Sequence, residues 1–118
     1  ENIALFFETR GNPDAMPEIA CQGCFMLNSM IEFSSQDPRV NQRADRYFEL
    51  LRHGFRSALE RSKSQGTLSR ELDEHSRTEV LLSAALGLNA VIRASKDDKA
   101  GAVMAASIAT MVRNWALD

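Results

Sequence analysis

Between residues 37 and 66 the apolar positions Val40, Ala44, Tyr47, Phe48, Leu51, Phe55, Ala58 and Leu59 step by three and four. On a period of 3.6 residues this spacing draws one stripe along one side of a helix. Asp37 before Pro38 supplies its start. An Asp side chain accepts from the free N–H groups of a first turn, and Pro at the first helical position lacks only an N–H that would go unpaired. Gly66 supplies a left-handed stop. Gly54, inside the stripe, costs roughly 1 kcal/mol against Ala, which predicts a close helix contact or a bend at that point.

Upstream, residues 19–33 are apolar almost without pause, too short a run to span a bilayer but long enough for a buried helix reaching about residue 34. Residues 3–8 form a short helical end ahead of the breakers Gly11, Asn12 and Pro13. Downstream, Asp73 caps a helix running to about residue 94, with Glu74 in its first turn set well against the helix dipole. Lys96, Asp97 and Asp98 mark a break, and a last helix covers about 98–116. There are no alternating runs and no Asn-Gly turns, so strands are not expected. The predicted fold is all-α, with about five helices in a single domain spanning 1–118.

The last two helices are apolar nearly all round. From 80 to 92 only Ser83 and Asn89 are polar, and Ala102, Val103, Met104, Ala105, Ala106, Ile108, Ala109, Met111, Val112 and Trp115 cover most of the final helix. Such helices must be buried on more than one side. Three remaining helices cover one face only, so a second copy is expected to cover the other, giving a four-helix bundle about a twofold axis. The expected interface comprises Leu82, Leu86, Asn89, Val103, Ala105, Ile108, Ala109, Val112 and Trp115. The alternative is a hairpin buried at the centre of a monomer.

Composition narrows the function. Fourteen Lys and Arg against sixteen Asp and Glu leave a net charge of −2, which argues against a surface built wholly for phosphate. Cys21 and Cys24 cannot form the disulfide framework of a small secreted domain, so a reducing cytoplasm is expected. No basic n-region or long apolar stretch opens the chain, which therefore reads as neither signal peptide nor membrane span. The first residue is Glu, not Met, as in a piece of a longer protein.

Gly23, Cys24, an apolar run holding Asn28, the acidic Glu32, and then Asp37, Pro38, Arg39 and Val40 opening a long helix resemble the TetR-family regulators. Ala58 and Leu59, then Gly66, Thr67 and Leu68, an acidic linker, Ala85 to Leu88 and a final apolar helix follow in that family's order. The resemblance covers nearly the whole chain and rests mainly on packing residues. It implies an N-terminal helix-turn-helix that binds operator DNA as a dimer and a helical C-terminal domain that senses a small molecule. No helix-turn-helix is recognisable here, and the sequence begins near the end of the first sensing-domain helix. Operator DNA would be reached only through that missing domain.

Candidate chemistry divides three ways. Cys21 and Cys24 have the spacing of redox and zinc sites, yet His53 and His75 stand in no ligand spacing, so no metal or cofactor is expected and packing is the simpler reading. Residues 39–63 carry seven cations (Arg39, Arg43, Arg46, Arg52, Arg56, Arg61, Lys63) against Asp45, Glu49 and Glu60, a balance of +4. Glu49 with Arg52 and Arg56 with Glu60 lie at pairing distance, as on a solvated face rather than a nucleic-acid site. Phe25, Asn28, Ser29 and Glu32 share one side of the 19–34 helix. With Tyr47, Phe48, Leu51, Phe55 and Asn89 they suit an effector pocket, in which a few polar groups orient an apolar molecule. The alternative leaves Asn28 and Glu32 in water and the aromatics in the core.

No phosphate loop, metal-binding His pair or nucleophile with a nearby base appears, so an enzyme is not expected. The expected function is a ligand-responsive homodimeric sensor of a transcriptional repressor. Effector between the helices over 19–34, 37–66 and 73–94 shifts the spacing of attached DNA-binding heads through differential affinity for two states. The runner-up is a helical protein-interaction module with no small-molecule site. A cavity of several hundred Å³ between helices favours the sensor.

Overall fold

Ile3, Phe7 and Arg10 recur at helical spacing, and with Ala4 they form the buried side of helix α1 (Asn2–Arg10). The computed structural model describes residues 1–11, 38–94 and 98–117. Among these, three further helices follow: α2 (Pro38–Ser64), α3 (Glu74–Ala94) and α4 (Asp98–Asn114). The chain is all-α, as its periodicity predicts. The helix expected over 19–34 and the cap expected at Asp37 lie outside the described residues.

Each described boundary has a local cause. Helix α2 ends where Gly66 takes φ 77°. There Gly66 N–H donates to Lys63 O at 3.1 Å and Thr67 N–H to Ser62 O at 2.9 Å, which satisfies two carbonyls of the last turn. Lys63 Nζ then donates to the carbonyls of Arg70 and Leu72 and pairs with Glu74 at 3.1 Å, tying the connection to the start of α3. Asp73 caps α3: its Oδ1 accepts from the N–H groups of His75 (3.1 Å) and Ser76 (3.3 Å).

Helix α4 stops at Asn114, two residues short of the expected end. The cause is a competing pairing, in which Leu68 and Ala116 form an antiparallel bridge and Leu117 N–H donates to Thr67 O at 2.8 Å. Arg77 closes this end by stacking its guanidinium 4.7 Å from the Trp115 ring centre.

The core gathers between α1, the second half of α2, α3 and α4. Phe7 and Phe55 stack with centroids 5.8 Å apart, Phe6 meets both edge-on, and Leu59, Leu81, Leu88 and Ala109 complete the packing. The end of α1 approaches α4 closely. A Cβ on Gly11 would lie 2.3 Å from Ala105 Cβ and 2.9 Å from Gly101 O, so only glycine lets α4 pass.

Two expectations about α2 are corrected. Gly54 is exposed, and a Cβ there would meet nothing within 4 Å, so it marks no close helix contact. Arg56 and Glu60 are both exposed and form no ion pair with each other among the described residues. Arg52 does pair with Glu49, at 2.8 Å, and also reaches Glu79 of α3 at 2.9 Å.

These contacts predict three stability changes, measurable by urea unfolding. Gly54→Ala raises stability by about 1 kcal/mol, since helix propensity improves in open space. Asp73→Ala lowers it by about 1 kcal/mol through loss of the cap. Gly11→Ala lowers it by about 1–3 kcal/mol, because Ala105 Cβ has no rotamer by which to yield.

Candidate functional site

The stripe of α2 and the buried side of α1 do not close completely. A groove of about 310 Å³ lies between them, with Ile3, Phe6, Leu50, Leu51, Phe55 and Ala58 among its walls. Gly54 contributes no side chain and leaves the wall low at that point. Leu50, 72% exposed, stands on the rim.

One helix turn along both elements the character changes. Arg10 follows Phe6 by four residues and Tyr47 precedes Leu51 by four. Arg10 Nη2 donates to the Tyr47 hydroxyl at 3.0 Å, and the guanidinium lies 5.0 Å from the centre of the Phe6 ring. From α3, Asn89 Nδ2 donates to the same hydroxyl oxygen at 3.3 Å. Three helices therefore meet at one polar cluster set in apolar surroundings. Arg10 is only 8% exposed, and its buried Nε has no hydrogen-bond partner. Among the described residues no carboxylate pairs with it.

A second opening, of about 570 Å³, lies between the start of α1, the end of α2 and residues 115–117. Arg113 binds Glu1 at 2.9 Å and also Glu8, which holds the Glu1 carboxyl below its ordinary value and the Arg113 guanidinium above its own. There Arg113 is matched by carboxylates, whereas among the described residues Arg10 is not.

Of the residues expected to bind an effector, Tyr47 and Asn89 are brought into hydrogen-bond contact, and Leu51 and Phe55 line the groove. Phe48 is half-buried beside Tyr47, with ring centroids 6.3 Å apart. Phe25, Asn28, Ser29 and Glu32, like Cys21 and Cys24, lie outside the described residues. Sequence reasoning missed Phe6 and Arg10. The available signal was Arg10 standing in register with Ile3 and Phe7, a cation on the apolar side of its helix.

The expected dimer surface needs correction. Ala105, Ile108, Ala109 and Val112 are buried within the protomer, because α1 and its Gly11 lie on that side of α4. Leu82 and Asn89 are buried as well, and Leu86 and Trp115 are half-buried. Only Val103 of that set is well exposed, at 66%. It belongs to an outward strip of Ala102, Val103, Ala106, Ser107 and Thr110. Ser107 Oγ donates to Val103 O at 2.9 Å and Thr110 Oγ1 to Ala106 O at 3.0 Å, so the strip's two hydroxyls are turned back onto their own helix.

The described residues form an all-helical domain with a groove between helices and an exposed, uncharged strip on α4. Residues 14–108 match the family of tetracyclin repressor-like C-terminal domains, and the chain belongs to that family. No curated protein and no solved structure matches it. Among the described residues no helix is long and apolar enough to cross a membrane, and no three His, Cys, Asp or Glu side chains gather as a metal site.

Unfolding measurements separate the groove floor from its rim. Phe55→Ala, at the centre of the phenylalanine cluster, is expected to cost about 3–5 kcal/mol. Leu50→Ala, on the exposed rim, is expected to stay within about 0.5 kcal/mol of the parent.

Proposed function

We propose that this chain is the ligand-sensing and dimerising domain of a TetR-type transcriptional regulator. In this reading effector binding alters the DNA affinity of an attached helix-turn-helix, most simply in a cytoplasmic repressor. The observation that carries it is the outward strip of α4. Ala102, Val103, Ala106, Ser107 and Thr110 present small side chains and no charge over about two helical turns. Lys99 and Arg113 are the nearest described charges on α4 beyond its ends. A strip of this kind suits close helix–helix approach about a twofold axis, where identical surfaces meet. Val80 and Ser83, exposed on α3, extend the candidate surface.

The groove between α1 and α2 supports a sensor over a plain protein-interaction module, since its volume of about 310 Å³ lies in the range of small-molecule sites. Arg10, Tyr47 and Asn89 join α1, α2 and α3 at one point. Ligand there would bias the relative setting of those helices and, through α1 on α4, the dimer. Coupling of this kind requires the ligand to bind one arrangement more tightly than another.

The test is solution mass across a dilution series. The parent chain is expected near twice 13.1 kDa. Val103→Glu combined with Ala106→Glu is expected to give a single chain of unchanged helicity, because both side chains are exposed in the protomer. A parent chain that stays monomeric at every concentration defeats the dimeric-sensor reading.

A further inference from the structure

A guanidinium remains charged at any physiological pH, and removing an ion from water carries a heavy penalty unless an opposite charge meets it. Two arginines nearer the surface have such partners: Arg52 holds Glu49 and Glu79, and Arg113 holds Glu1 and Glu8. Arg10, the buried one, has a neutral hydroxyl and an aromatic face instead. Its Nε–H, buried and without an acceptor, leaves a donor edge unused. Such an edge fits the two oxygens of a carboxylate. One turn away, Phe6, Leu51 and Phe55 line a groove of about 310 Å³, which Arg61 borders at its other end and Arg10 adjoins through Phe6.

We propose that this groove takes a small amphiphilic monocarboxylate, with the anionic head on Arg10 beside the Tyr47 hydroxyl and the apolar tail along Phe6, Leu51 and Phe55. The assignment rests on the sensor reading above and supplies its missing ligand class. The apolar walls select an alkyl or aryl tail over a sugar or nucleotide.

Calorimetric titration of the full 118-residue chain with octanoate, 1-octanol and octylamine tests it. Octanoate is expected to bind at least about tenfold more tightly than octanol, the scale of a charge-assisted pair, and octylamine not at all. Arg10→Met is expected to abolish the preference for octanoate while the melting temperature stays level or rises, since a lone buried charge has been removed. A structural arginine would lower it. Equal binding of octanoate and octanol, or octanoate binding that Arg10→Met leaves intact, overturns the carboxylate assignment alone. Absence of binding by all three probes overturns the groove as well, whereas failure of the sensor reading shows separately as a parent chain that never dimerises. The three-probe comparison on the parent chain stands whether or not the variant folds.

Discussion

Helix α1 lies along the inner side of α4, with Gly11 packed closely against Ala105. Much of the architecture follows from that approach. It buries Ala105, Ile108, Ala109 and Val112 inside the protomer, so the face of α4 left for a partner is the opposite one. It also fixes the position of α1, which places Phe7 on Phe55 and carries Arg10 to Tyr47. A helix end that reads in sequence as a short remnant thus sets both the core and the outer surface.

Electrostatics divides the molecule into matched and unmatched regions. Arg52, Lys63 and Arg113 each bridge separate elements through carboxylates, and Lys63 also meets backbone carbonyls. These pairs are at least partly exposed, and in that setting an ion pair contributes little more than orientation. Arg10 inverts the pattern, being the most deeply placed of these cations and the one lacking a carboxylate. Energetically a lone buried charge is a liability, which is why it stands out as a place for an anion.

Helix type, order and several boundaries were legible in the sequence because their causes are local. The three-and-four stripe of α2, the Asp73 cap and the left-handed Gly66 each act within a few residues. The end of α4 was not legible, since Trp115 to Leu117 answer to Thr67 and Leu68 across the fold. Gly54 misled for a related reason: a helical glycine signals close approach only if something approaches, and nothing does. The apolarity of α4 led to the expectation of two covered faces, but the pattern alone could not say which face belonged to α1. Tyr47 and Asn89 stood out by residue type, yet Arg10, the cation that joins Tyr47 to α1, lies just past the residues 3–8 read as a short helical end.

The central claim is that α1 takes the inner face of α4 and leaves the outer face to a second copy. Oxidative cross-linking measures this directly, using single cysteines in a background where Cys21 and Cys24 are serine. Val103→Cys, on the outer strip, is predicted to yield a covalent dimer efficiently, and Leu50→Cys, exposed on the rim of the groove between α1 and α2, to remain a single chain. Cross-linking through position 50 with none through position 103 would contradict the account and place the partner on the other side of the molecule.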